Sequence, residues 1–221
     1  MRSTVLGVAG GSGAGKTTLV ESVAARLGDR ATVLWFDEYY HDLAHMDPSE
    51  RVAVNFDHPD SLDVGLRVEH LDGLLDGRAV DVPVYDFASH IRTGRTRRVE
   101  PRPVVVVDGI LVLAFPEIRD RLDLAVFVDA PESVRLGRRL ERDVRDRGRT
   151  AEMSQAQWAA TVGPMYEEVV APSADHADFR LDGTGDRSGN VARVVDAVDR
   201  LAGHLAREDP DDEKRAVTPP P

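Results

Sequence analysis

The stretch that most constrains the fold is Gly10-Gly11-Ser12-Gly13-Ala14-Gly15-Lys16-Thr17. It fits G-x-x-x-x-G-K-[ST], the phosphate-binding loop of nucleotide triphosphatases and kinases. The glycines let the backbone curl, so that the N–H groups of Gly11, Ser12, Gly13, Ala14 and Gly15 turn toward phosphate oxygens. Lys16 reaches the β- and γ-phosphates, the Thr17 hydroxyl ligates Mg²⁺, and Thr18 adds a contact at the helix start. Such a loop needs a strand before it and a helix after it. Thr4-Val5-Leu6-Gly7-Val8-Ala9 reads as a buried strand, and Leu19, Val20, Val23, Ala24 and Leu27 recur at helical spacing. The helix N-terminus adds partial positive charge where a phosphate sits.

Further strands follow. Ala31–Phe36 is short and apolar and ends in Asp37-Glu38-Tyr39-Tyr40. In open α/β sheets ligands gather at the carboxyl ends of strands, so Asp37 faces the crevice of the phosphate loop; a turn or cap residue is the plainer reading. Val104–Val107 is a run of four valines, as in the middle of a parallel sheet, and ends in Asp108-Gly109. Asp108 suits a second magnesium contact through water, or a simple strand-ending turn. Leu124–Asp129 and Ala177–Leu181 are a fourth and a fifth strand. The expected fold is therefore α/β, in three layers around a parallel sheet of about five strands.

Between these strands, a helix is expected from Leu62 to about Gly77, with Asp60 or Ser61 as its N-cap. Val80–Phe87 alternates like a half-exposed strand, demoted to an edge by Pro83. With a turn at Gly94 and a returning strand Thr96–Val99, it forms a small hairpin at about 80–100. Residues 131–149 hold seven arginines against four acids and no lysine. Val134, Leu136, Leu140 and Val144 are expected to anchor this helix. Its arginine face suits bidentate phosphate recognition, unless it is simply a solvated face with pairs such as Glu141 to Arg145. Arg147-Gly148-Arg149 supplies a joint, as a closing lid at about 131–150 needs. A helix at 154–170 is expected to kink or restart at Pro164. Val191, Val194, Val195, Val198, Leu201, Ala202 and Leu205 mark a last helix, and residues 207–221 read as a disordered acidic and proline-rich tail.

The 221 residues suit one domain, spanning about 1–206. There are no cysteines, so disulfides and thiolate metal sites are excluded. His41 and His45 are four apart but have no third ligand at a suggestive spacing, and read as surface residues. The net charge of −11 argues against a nucleic-acid partner. No apolar run approaches the ~20 residues that a bilayer requires, and the first strand begins almost at once. A cytoplasmic protein with no membrane partner is expected.

From about residue 4 to residue 206 the chain resembles the uridine kinases (uridine–cytidine kinases). The motifs that carry the likeness are more specific than the phosphate loop. Asp37-Glu38-Tyr39-Tyr40 is similar to the family's D-S-[FY]-Y, whose Asp is the catalytic base, with Tyr40 beside the nucleoside. Asn55-Phe56-Asp57-His58-Pro59 resembles N-[FY]-D-H-P, whose Asp grips the ribose hydroxyls and whose aromatic residue, here Phe56, lies at the nucleoside. Pro83–His90 looks like the hairpin that holds the pyrimidine through Tyr85 and His90. Arg138-Arg139-Leu140-Glu141-Arg142-Asp143 with Arg147-Gly148-Arg149 is similar to the family's lid. The likeness implies Arg142 and Arg147 on the nucleotide, and Arg139, Arg149 and Gln157 near the substrate.

What the resemblance implies is phosphoryl transfer from ATP or GTP, with Mg²⁺, to the 5′-hydroxyl of uridine or cytidine, in a homo-oligomer that is often tetrameric. Three departures stand out. Asp108 replaces a Glu, Glu38 replaces a small residue, and Leu181–Asp186 lacks the usual basic segment near the donor base. Other readings differ in what they require. A phosphoribulokinase-like sugar-phosphate kinase shares the loop and base positions but needs no Tyr85 or His90. A GTPase switch needs a guanine-reading N-K-x-D, which is absent. A non-catalytic nucleotide-binding regulator would lose Asp37 or Asp108, and both remain.

Overall fold

The strand before the glycine loop, β1 (Thr4–Ala9), lies in the middle of a five-stranded parallel sheet. The other members are β2 (Ala31–Trp35), β5 (Val104–Asp108), β6 (Leu124–Asp129) and β7 (Phe179–Asp182), in the order β2-β5-β1-β6-β7. Strands β3 (Val80–Asp86) and β4 (Ile91–Val99) form a separate antiparallel hairpin. The computed structural model describes residues 2–205; the expected tail at 207–221 and the boundary at 206 lie outside them.

Side-chain alternation divides the core in two. Val105 and Val107 of β5 pack on one face with Leu71 and Leu74 of helix Val64–Leu75. Val104 and Val106 pack on the other with Leu19, Val20 and Val23 of helix Lys16–Leu27 and with Val191, Val194 and Val198 of helix Arg187–Leu205. This is the three-layer arrangement that the valine run predicts. Each fully buried valine contributes roughly 1.5–3 kcal/mol of burial free energy.

Several expectations need correction. The helix after Asn55–Pro59 starts at Val64, not Leu62, and its N-cap is Asp63, whose carboxylate accepts from the Leu66 N–H. Asp60 and Ser61 sit instead in a single 3₁₀ turn. The hairpin turns at Phe87–His90, and Gly94 lies within β4. There φ is +72° and the register slips between Pro83 and Tyr85, so this glycine serves a bulge. The fifth sheet strand starts two residues later than expected.

Helix Glu132–Asp146 is only partly anchored by its aliphatic residues: Val134 packs, half-buried, against the core. Val144 is 50% exposed, whereas Arg135, Arg139 and Asp143 are buried. The rest of its inner face is a charged stripe, because that face packs on the phosphate loop. Arg145 pairs with Asp146 rather than with Glu141. Beyond Ala151 the helix continues through Pro164 to Ser173. At Trp158–Val162 it widens to a π turn in which the Gly163 N–H reaches the Trp158 carbonyl. A second π turn, Tyr166–Val170, precedes Pro172 in the same way. The wider turns accommodate residues that lack an N–H donor.

Candidate active site

The phosphate loop bridges β1 and the helix that starts at Lys16. Gly10, Gly13 and Gly15 have φ of +142°, +79° and +109°, a region closed to most side chains. At Gly13 a Cβ would also collide with the Arg135 carbonyl oxygen, so the loop is seated directly on helix Glu132–Asp146. Lys16 is buried, and its Nζ donates to the Gly11 carbonyl at 3.0 Å. Burial lowers its pKa, against the opposing pull of Asp108 and Asp37. Arg138 donates to the carbonyls of Ala14 and Gly183, at 3.2 and 3.1 Å, and ties the loop to the segment after β7.

In front of the loop lies a cavity of about 1340 Å³, lined by Ser12, Gly13, Gly15, Lys16, Thr17 and Thr18 of the loop and helix start and by Arg138, Arg139, Arg142, Arg145 and Arg147. Asp37 and Asp108 form its floor at the ends of β2 and β5. Gly11 and Ala14 are buried behind the loop and do not reach this lining. Their carbonyls take the Lys16 and Arg138 hydrogen bonds instead. At Gly109 (φ +156°) a Cβ would collide with the Phe36 side chain. The missing side chain lets the turn that carries Asp37 close on the end of β5.

Asp108 is buried, and among the described residues its Oδ1 has no hydrogen-bond partner. Burial pushes its carboxyl up to about 6, with Lys16 opposing. An unpartnered carboxylate oxygen and the exposed Thr17 hydroxyl, both on one cavity, are hard oxygen donors that fit a magnesium ion.

A smaller cavity, of about 440 Å³, adjoins the first. The resemblance implied Asp37, Tyr40, Phe56, Asp57, Tyr85, His90, Arg139, Arg149 and Gln157 as substrate residues, and all nine line it. One wall is aromatic: Phe56 stacks on His90 at 4.6 Å, and Tyr40 meets both Phe56 and Tyr85. His90 is buried in the hairpin turn at φ +57°, and burial, then Arg149 and Arg147, lower its pKa. The Tyr85 hydroxyl is buried without a hydrogen-bond partner among the described residues. Phe87 and Arg147 complete the lining. Phe87 lies in the hairpin turn just beyond β3, and its ring meets that of Tyr85 at 5.3 Å.

The opposite wall is polar. Asp57 is buried, which raises its pKa, while Arg139 pulls it down. Arg139 donates to Ser12 Oγ and Gln157 Oε1, each at 2.9 Å, and Arg149 also donates to Gln157. Gln157 thus joins two lid arginines. Beneath them Asp143 is wholly buried. Burial acts to raise its pKa, but Arg142, Arg139 and Arg147 outweigh it and hold the carboxyl low. Five residues line both cavities: Asp37, Tyr40, Asp57, Arg139 and Arg147. His41 and His45 are exposed.

The chain is similar to known proteins. Residues 5–188 match the model of the "Phosphoribulokinase / Uridine kinase family". A uridine kinase of Chloroflexus aggregans is 44% identical over 91% of this chain and 97% of its own. One from Streptococcus agalactiae is 41% identical over 79% of this chain and 84% of its own. Among solved structures, phosphoribulokinase from Rhodobacter spheroides superposes with a TM-score of 0.59 at 13% identity, over 83% of this chain and 73% of that one, a likeness of fold. None of the described helices is long and apolar enough to cross a membrane. On the match of its sequence and the geometry of its loop, the chain belongs to the phosphoribulokinase / uridine kinase family of P-loop kinases.

Proposed function

We propose that the protein transfers the γ-phosphoryl group of ATP to the 5′-hydroxyl of uridine or cytidine. The observation that carries this reading is the meeting of the two cavities at Asp37. A triphosphate in the larger cavity and a nucleoside in the smaller one bring the donor phosphorus and the acceptor oxygen to one place. The uridine kinases among its relatives support the same acceptor class.

Asp37 orients the 5′-hydroxyl and accepts its proton as the oxygen attacks. Asp57 takes the ribose hydroxyls as donors, and the rings of Tyr40, Phe56, Tyr85 and His90 enclose the base. The Lys16 ammonium and the guanidinium groups of Arg142 and Arg147 stabilise charge on the equatorial oxygens of the transferring group. Thr17 and Asp108 would hold magnesium, which when bound neutralises charge on the β- and γ-phosphates. Lid arginines and Gln157 exclude water from the reacting oxygen, which suppresses wasteful hydrolysis. This reading places the protein in cytoplasmic pyrimidine salvage, and the resemblance adds a homo-oligomer.

The test is ADP release with ATP and a panel of uridine, cytidine, adenosine and ribulose 5-phosphate. The aromatic wall predicts kcat/KM for both pyrimidine nucleosides at least tenfold above the other two. A preference for the sugar phosphate would overturn the nucleoside reading.

A further inference from the structure

Arg67 lies on helix Val64–Leu75, lines neither cavity, and is 2% exposed. Its Nη2 donates to the backbone carbonyls of Asp108, at 3.0 Å, and Leu34, at 3.3 Å. Among the described residues its Nε and Nη1 have no hydrogen-bond partner. Its guanidinium forms no ion pair among the described residues. A buried cation without a carboxylate is costly, and an apolar side chain of similar size would serve the core better. Packing alone therefore does not account for an arginine here.

What it touches does. Leu34 lies in β2 three residues before Asp37, and Asp108 ends β5; the two strands are hydrogen-bonded neighbours, with Trp35 opposite Asp108. The guanidinium also lies 4.1 Å from the Phe36 ring centroid and 5.4 Å from that of Tyr39, the first and last residues of the turn that carries Asp37. One turn further along the same helix, His70 Nδ1 meets the Tyr39 hydroxyl at 3.0 Å. The helix thus grips the catalytic turn from behind, and the same arginine reaches the end of the neighbouring strand.

We propose that Arg67 is a positioning residue. It bridges the ends of β2 and β5, fixes the separation of the Asp37 and Asp108 carboxylates, and places a permanent positive charge behind them. Burial lowers its pKa to about 10, which leaves it protonated at neutral pH. The lid arginines approach the same carboxylates from the opposite side, on a segment that ends in the Gly148 joint. Arg67 acts from the rigid side, so its charge is in place before any substrate arrives.

The test compares full-length wild type, Arg67→Met and Arg67→Lys by kcat, by KM for ATP and uridine, and by Tm. Met fills the space without charge or donor; Lys keeps the charge. The expected result is a Met variant with Tm equal to or above wild type, kcat down at least tenfold, and KM for uridine within threefold. Lys should exceed Met in kcat by threefold or more. A merely structural arginine would instead lose Tm and kcat together. The proposal is overturned by a Met variant with kcat within threefold of wild type, by Tm falling along with kcat, or by Lys no better than Met. Should Met fail to fold, Arg67→Gln replaces it under the same criteria. The proposal rests on Asp37 and Asp108 as the reacting-site carboxylates. Wild type inactive on every nucleoside removes that reading; active wild type matched by Arg67→Met removes only the inference.

Discussion

The Arg147 guanidinium stands 3.8 Å from the Asp37 carboxylate. It also lies over the Phe87 ring, 5.2 Å from the centroid. A lid residue therefore touches the proposed base and the nucleoside wall at once. The adjoining Gly148, at φ +61°, marks where the lid helix ends. Arg147→Ala should lower kcat by roughly 10²-fold, the scale of losing one preorganised charge at a reacting group. The check is steady-state kinetics with ATP and uridine. A change confined to KM for ATP would assign Arg147 to ground-state nucleotide binding alone.

Asp108 links the site to stability. Its folded pKa of about 6 lies above the unfolded value near 3.8. Well below pH 3.8 both states are protonated and the group contributes nothing. Between these values the unfolded chain ionises first, so stability falls as pH rises, and above pH 6 the penalty is complete. A shift of this size corresponds to about 3 kcal/mol. Asp108→Asn should therefore raise Tm by several degrees at pH 7.5, measured without magnesium, and by much less at pH 4, while activity falls. An equal Tm gain at both pH values would contradict the account.

His90 is held neutral by burial and by the nearby arginines. Neutral imidazole has one donor and one acceptor nitrogen, so one tautomer can donate to uridine O4 and the other can accept from the cytidine amino group. Protonation removes the acceptor. Cytidine use should fall relative to uridine use only well below pH 6.5, because the pKa is lowered. His90→Asn, which tolerates the positive φ, should raise KM for both nucleosides. Measuring kcat/KM from pH 5 to 8 for both proteins checks this. Unchanged values in His90→Asn would remove His90 from the base site.

The site was legible where chemistry ties residues to a spacing. The loop residues, Asp37, Asp57, Asp108 and the lid arginines all stand in short motifs, and their meeting follows from strands that end side by side. What was not legible depended on neighbours distant in the chain. Helical periodicity assigned Val144 to the core along with Val134, because it assumes that a buried face is apolar; Val134 packs there and Val144 does not. Here the surface beneath the helix is the phosphate loop and the Asp57 pocket, so Arg135, Arg139 and Asp143 point inward. Gly94 looked like a turn because glycine marks turns and bulges alike, and only strand pairing separates them. Arg67, inside a run of leucines and valines, gave no signal at all, since its partners are the carbonyls of Leu34 and Asp108.

The central claim is that Asp37 activates the 5′-hydroxyl of a bound nucleoside. Its most direct test is single-turnover transfer from ATP to uridine by wild type and Asp37→Asn, with the binding of uridine and a non-hydrolysable ATP analogue measured alongside. The account predicts that Asn keeps both affinities within a few-fold and slows formation of the 5′-monophosphate by roughly 10²- to 10⁴-fold. Transfer slowed less than about tenfold, with binding intact, would contradict it.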